Sequence, residues 1–230
     1  MTTTLITGSN KGLGHETARR LLAEGHTVWM AARDAERGRA AADELGARFV
    51  QLDVTDDASV AAAAEHVAAE GGLDVLVNNA GITGSHSDPA DLTGADALLV
   101  LDTNVAGIVR TTHAFLPLLR ASSAPAIVNV TSGLGSFTAV HDPDRIESTV
   151  VAPLYTASKS AVTMLTVQYA KALPGIRVNA ADPGYTATDL NGNSGHQTVT
   201  EGTDAVVELA TQGADGPTGT FIDRDGVAPF

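Results

Sequence analysis

Cysteine is absent from the 230 residues. That excludes disulfides and thiolate-bound metal together, and it suits a reducing compartment. Basic residues are scarce: 14 Lys and Arg against 27 Asp and Glu leave a formal net charge of −13. Such a surface repels phosphodiester backbones and anionic lipid, so neither nucleic acid nor membrane is expected as a partner. No apolar run is long enough to span a bilayer. Met1-Thr2-Thr3-Thr4 leads into Leu5-Ile6-Thr7-Gly8 without a basic leader region. The expectation is a soluble, acidic, cytoplasmic protein. The seven histidines show no metal-ligand spacing, so no metal is expected.

Short β-branched runs alternate with longer Ala-rich stretches. Strands are predicted at 3–7, 27–32, 48–52, 75–78, 126–131, 177–181 and 219–222. Helices are predicted at 12–23, 35–45, 57–69, 95–121 and 152–172. This alternation implies a single doubly wound α/β domain of Rossmann type over 1–230, with about seven parallel strands flanked by helices. Segments 140–151 and 191–200 lack periodicity and read as surface loops. The sequon Asn129-Val130-Thr131 sits in an apolar strand pattern and reads as structural.

Three motifs carry chemistry. Gly8-Ser9-Asn10-Lys11-Gly12-Leu13-Gly14 follows the first strand and opens the first helix. Glycines there permit close approach of a pyrophosphate to free N–H groups at a helix N-terminus. At the end of the second strand a dinucleotide fold often keeps a carboxylate for the ribose diol. This chain has Ala32 and then Arg33, with Lys11 in the Gly turn. Two cations without that carboxylate favour a 2′-phosphate, hence NADP(H) over NAD(H); the alternative is a solvated helix-start arginine. Finally, Tyr155 and Lys159 are four apart on a predicted helix and share a face. An ammonium beside a phenol favours phenolate, lowering the phenol's affinity for its proton. Alone, that spacing is common on helix surfaces.

Together these residues resemble the short-chain dehydrogenase/reductase family over essentially the whole chain. Asp53-Val54 resembles the family's adenine-contacting pair, and Asn78-Asn79-Ala80-Gly81 its element after the fourth strand. Asn104 falls where the family has a helix asparagine holding a relay water. Ser132 falls at the catalytic serine. Asp182-Pro183-Gly184 with Thr186 and Thr188 resembles the segment at the nicotinamide. Asn10-Lys11 and Arg33 are most similar to the NADPH-dependent carbonyl-reductase branch.

The resemblance implies an oxidoreductase moving hydride between NADP(H) and a carbonyl/alcohol pair. In that reading Tyr155 is the general acid/base and Lys159 lowers its pKa and holds the ribose. Ser132 bonds the carbonyl oxygen and Asn104 supports the water link. Tyr155, Lys159, Asn79, Ala80, Gly81, Pro183 and Gly184 would also contact the cofactor. The substrate pocket is expected near Ser132, Leu134 and Tyr185, covered by a loop near 190–205. Alternatives are a non-catalytic NADP(H) sensor, or a member acting mainly as an alcohol dehydrogenase. One departure stands out: Ser132 and Tyr155 lie farther apart than in most of the family, with a charged segment from His141 to Glu147 between them. Ser136 is thereby a rival for the serine role, though Ser132 fits the strand end better. The extra segment also favours a monomer or homodimer over the family's usual tetramer. His196 reads as solvating its loop.

Overall fold

The computed structural model describes residues 2–85 and 87–230. The chain runs β1 (Thr3–Thr7), α1 (Gly12–Ala23), β2 (Thr27–Ala32), α2 (Ala35–Leu45), β3 (Arg48–Gln51), α3 (Asp57–Ala69) and β4 (Val75–Asn78). It continues with α4 (Gly94–Leu101), α5 (Gly107–Ala121), β5 (Ala126–Val130), α6 (Phe137–His141), α7 (Pro153–Ala172) and β6 (Arg177–Ala181). It finishes with α8 (Val199–Gly202), α9 (Asp204–Thr211), β7 (Phe221–Asp223) and β8 (Gly226–Val227). The sheet order is β3-β2-β1-β4-β5-β6-β7-β8. All pairings are parallel except β7 with the short β8. The fold is the expected doubly wound α/β sheet, with this antiparallel edge strand added.

Strand side chains alternate between two apolar layers, as the pleat requires. Ile6, Met30, Val77 and Val128 pack with Ala18, Leu21 and Leu209. Their neighbours Leu5, Trp29, Leu76 and Ile127 pack on the opposite face with Phe115, Leu119 and Val60. Both faces are covered, so the strands read as continuous apolar runs.

Buried polar groups add specificity to this core. The Asn78 Nδ2 donates to Asn129 Oδ1 across β4 and β5 (2.9 Å), and Thr111 Oγ of α5 donates to Asn78 Oδ1 (2.8 Å). Asn129 Nδ2 in turn donates to Thr166 Oγ of α7 (2.9 Å). Asn129 is fully buried, which accounts for its sequon as a structural feature.

Three local expectations change. The predicted helix 95–121 is interrupted by a π-helical turn at Asp102–Ala106 between α4 and α5. Asp102, Thr103, Asn104 and Val105 are weak helix formers, but that weakness alone does not tell a π-turn from an ordinary helical turn. The short helices α6, α8 and α9 lie outside the predicted set. The 140–151 segment is also partly ordered: its turn Ile146–Thr149 is 3-10 helical.

Candidate active site

The strand order reverses between β1 and β4, and ligands of open α/β sheets bind beyond the strand ends at such a point. The Gly turn sits there. Gly8 has φ +64, and a β-carbon on it would lie 2.9 Å from the Ala80 Cα. One on Gly14 would lie 2.6 Å from Asn79 Nδ2 and 2.8 Å from the Gly8 carbonyl oxygen. The turn is held from beneath by Asn79, whose Nδ2 donates to the carbonyls of Thr7 (2.9 Å) and Gly8 (3.1 Å). Thr7 Oγ accepts the N–H groups of Asn79 (3.0 Å) and Ala80 (3.1 Å). Helix α1 then starts without a side-chain cap, whereas Asp34 and Asp56 cap α2 and α3. Uncapped N–H groups behind a side-chain-free turn are what a pyrophosphate fits. Gly8, Asn10, Lys11, Gly12, Leu13 and Gly14 would line that cradle. Ser9 is buried and its hydroxyl faces inward to the Ala31 carbonyl (3.4 Å), so its side chain shapes the turn.

Around the adenosine end, Arg33 is exposed just past β2 and Ala32 is buried. Asp53 is half-buried, accepting the N–H (3.0 Å) and hydroxyl (2.7 Å) of Thr55. Val54 packs against Gly107, whose missing side chain admits it. Lys11 differs from expectation. Its Nζ pairs with Asp189 (2.9 Å), joining the Gly turn to the loop after β6.

The chemical groups meet at the ends of β5 and α7. Ser132 Oγ accepts the Leu134 N–H (3.2 Å), and its hydroxyl lies near the Tyr155 phenol on the same cavity wall. Lys159 is 5% exposed, and its Nζ donates to the Val130 carbonyl (2.9 Å) and lies 5.6 Å from the Tyr155 ring centroid. Asn104, within the π-turn, accepts the Ile82 N–H (2.9 Å) and donates to the Ile82 carbonyl and to Ser158 Oγ (2.9 Å each). Gly81 sits between Asn104 and Lys159: a β-carbon there would lie 3.4 Å from Asn104 Oδ1 and 3.7 Å from Lys159 Nζ. Ser136 is elsewhere, buried and capping α6 through the Ala139 N–H (3.0 Å).

One electrostatic expectation is corrected. Tyr155 is not held below the usual phenol range by Lys159. Burial pushes it well above that range and the charge of Asp182 adds to this, while the nearby Ser132 hydroxyl opposes it. The Lys159 ammonium, 5.6 Å from the ring centroid and bonded to the Val130 carbonyl, is outweighed by burial of the phenol. Lys159 itself is pulled down to about 8 by burial, with Asp182 opposing. Burial thus favours the protonated phenol at Tyr155.

These groups open into a cavity of about 420 Å³ lined by Ser132, Leu134, Tyr155, Tyr185, Leu190 and the extra segment's Val150 and Val151. Thr186 and Thr188 line it as well, with Pro183 and Gly184. Thr186 Oγ donates to the Pro183 carbonyl (2.7 Å), and Gly184 has φ +65. His196 instead packs edge-on against Tyr185, with ring centroids 5.9 Å apart, and lines a neighbouring cavity. The role of residues 150–151 as pocket wall was not evident from sequence. The run Val150-Val151 before Pro153 carries no periodicity, and only the fold brings it over Ser132.

Comparison with known proteins agrees with this arrangement. Residues 2–198 match the family model for short chain dehydrogenase. Short-chain dehydrogenase/reductase 1 of Saponaria officinalis is 34% identical, across 98% of this chain and 95% of its own. The (+)-neomenthol dehydrogenase of Arabidopsis thaliana is 32% identical, across 98% and 97%. Among solved structures, NADPH-bound carbonyl reductase from chicken fatty liver superposes with a TM-score of 0.88 at 29% identity, covering 100% of this chain and 99% of that one. Salutaridine reductase from Papaver somniferum superposes with a TM-score of 0.86 at 27% identity, covering 96% and 99%. No helix among the described residues is long and apolar enough to cross a membrane. With the Gly turn, the Tyr155–Lys159 pair and Ser132 brought to one strand-end crevice, and with this match along its length, the chain belongs to the short-chain dehydrogenase family and is an oxidoreductase that transfers hydride between a nicotinamide cofactor and a carbonyl/alcohol substrate.

Proposed function

We propose that this protein reduces uncharged, predominantly apolar ketones or aldehydes, using NADPH in preference to NADH. The carrying observation is the pocket. Among the described residues that line it, Lys159 is the one charged side chain, while leucines, valines and prolines form much of its wall. A carboxylate on the substrate would find no arginine there and would enter a protein of net charge −13. The ketone-directed names of relatives such as menthone neomenthol reductase from Mentha piperita agree with this choice.

The cofactor, when bound, supplies the hydride. The chain's own groups manage the oxygen. Ser132 and Tyr155 hydroxyls converge on the position the carbonyl oxygen takes, and Tyr155 donates its proton as negative charge builds there. Lys159, carrying its proton, stabilises the phenolate left behind. Asn104 holds Ile82 and Ser158 around it and supports the water link to Lys159. Val150, Val151 and Leu190, with the loop near 190–205, exclude water from the reacting carbonyl. Arg33 supports the 2′-phosphate preference because Ala32 puts no carboxylate at that strand end, and Lys11 would add to it on leaving its exposed pair with Asp189. The acidic charge supports a cytoplasmic protein, and the extra segment before Tyr155 supports a monomer or homodimer over a tetramer.

The test is NADPH oxidation with matched panels of neutral cyclic or aryl ketones and of 2-keto acids. Neutral ketones should win by at least about 10-fold in kcat/KM, as expected for one unpaired charge in an apolar pocket. Preference for keto acids would overturn the substrate class, and preference for NADH the cofactor choice. Tight NADPH binding with no turnover on either panel would favour a sensor.

A further inference from the structure

Asp182 directly follows β6 and is 4% exposed, yet no step above uses it. Its Oδ1 accepts the Gly184 N–H at 2.9 Å, and its Oδ2 lies against the Gly133 amide, 2.9 Å from where a β-carbon on Gly133 would sit. These amides belong to the two loops that frame the reaction. One follows Ser132 and the other carries Pro183. Glu147, brought in by the extra segment, reaches Gly133 as well. A β-carbon on Gly133 would run into the Glu147 carboxylate and lie 2.9 Å from Asp182 Oδ2. Two carboxylates thus converge on a residue next to the catalytic serine position.

The charges around Asp182 are unbalanced. Glu147 faces it from the 3-10 turn and Asp223 from β7, while Tyr155 and Lys159 lie toward it from α7. Arg145 also feels it, but that guanidinium is bonded to Glu147 (2.8 Å). Beyond them, a cavity of about 260 Å³ adds Arg224, Asp225 and His196. Among the described residues no cation lies within 4.0 Å of Asp182. Burial therefore pushes its carboxyl up to about 6, with Glu147 and Asp223 adding and the two amides opposing. An unpaired buried carboxyl costs stability, and its place beside a reaction centre points to use there.

We propose that Asp182 is a positioning residue: its carboxylate clamps the Ser132–Gly133 loop to the Pro183–Gly184 loop and so sets the spacing between the carbonyl-oxygen site and the nicotinamide site. The inference rests on the Ser132–Tyr155 reading above. Ionised Asp182 also helps to keep protons on Tyr155 and Lys159. Protonating it weakens both N–H contacts and removes that field together.

The test uses the full chain with NADPH and the best ketone. Asp182→Asn keeps one oxygen and puts an NH2 group in place of the other, so the side chain no longer presents an acceptor to both the Gly184 and the Gly133 amides. Turnover should fall about 10- to 100-fold, the cost of a small misplacement at a reaction centre, while the NADPH dissociation constant moves less than about 3-fold. In the wild type, kcat/KM should drop as pH falls through about 6. That limb should vanish in Asp182→Asn, and the alkaline limb should move to lower pH. Glu147→Gln removes a like charge and should shift the acid limb downward, which tests the proposal even if Asp182→Asn does not fold. Wild-type turnover in Asp182→Asn, or an acid limb that neither variant moves, would overturn the proposal. A parallel Tyr155→Phe variant separates the two readings: near-normal turnover there refutes the Tyr155 assignment and not the clamp alone.

Discussion

The nucleotide-binding end and the chemical end of this crevice are built from different materials. The first is made of backbone: Gly8 and Gly14 leave room where a single β-carbon would strike Ala80 or Asn79, and α1 begins uncapped. The second is made of side chains held by other side chains. Ser132 faces Tyr155, Lys159 is buried against Val130, and Asn104 reaches Ile82 and Ser158. A backbone site fails when something is added, and a side-chain site fails when an atom is removed.

Substitutions test that contrast. Tyr155→Phe removes one oxygen and should lower kcat by about 10²- to 10⁴-fold with little change in NADPH affinity, read by steady-state kinetics and fluorescence titration. Gly14→Ala adds one carbon where Asn79 Nδ2 is 2.6 Å away. It should cost about 1–3 kcal/mol of stability in denaturant titration and weaken cofactor binding as well. If it weakens turnover alone, the division between the two ends is wrong. Reduction should fall as pH rises through about 8, because Lys159 then loses the proton that stabilises the Tyr155 phenolate. A flat kcat/KM between pH 7 and 9.5 would remove Lys159 from that role. Arg33→Ala should narrow the NADPH-over-NADH preference by about 10-fold, the worth of one charge-assisted contact. The smallest effect should come from Asp189→Asn. Its pair with Lys11 is exposed at both partners, so the change in melting behaviour should stay within ~1 kcal/mol and shrink further in salt.

The same contrast explains what was legible beforehand. Glycine positions, strand ends and the Tyr155–Lys159 spacing are local, and local pattern carries them. The π-turn at Asp102–Ala106 is not: Asp102-Thr103-Asn104-Val105 is a weaker helix former than Ala97–Leu101, but weak propensity does not specify an i→i+5 turn, and the Asn104 contacts with Ile82 and Ser158 that accompany the extra residue are non-local. The state of Tyr155 was also misjudged from spacing. A residue four positions away fixes which face Lys159 shares, but the proton is governed by burial and by Asp182, 27 residues further along the chain. The 140–151 segment looked like a surface loop because it is charged, yet Arg145 satisfies Glu147 and allows that carboxylate to turn inward.

The Asn78–Asn129 pair has a consequence for protein engineering. Its hydrogen bonds run from Thr111 on α5 through both central strands to Thr166 on α7. Sliding β5 by one residue would replace Asn129 with Val128 or Val130 and leave Asn78 unmatched in a dry interior. A chimera that joins the nucleotide-binding half of this chain to the catalytic half of a relative therefore crosses this ladder whenever the junction falls between 79 and 128. Such hybrids should fold only when both asparagines, or an apolar pair in their place, travel together.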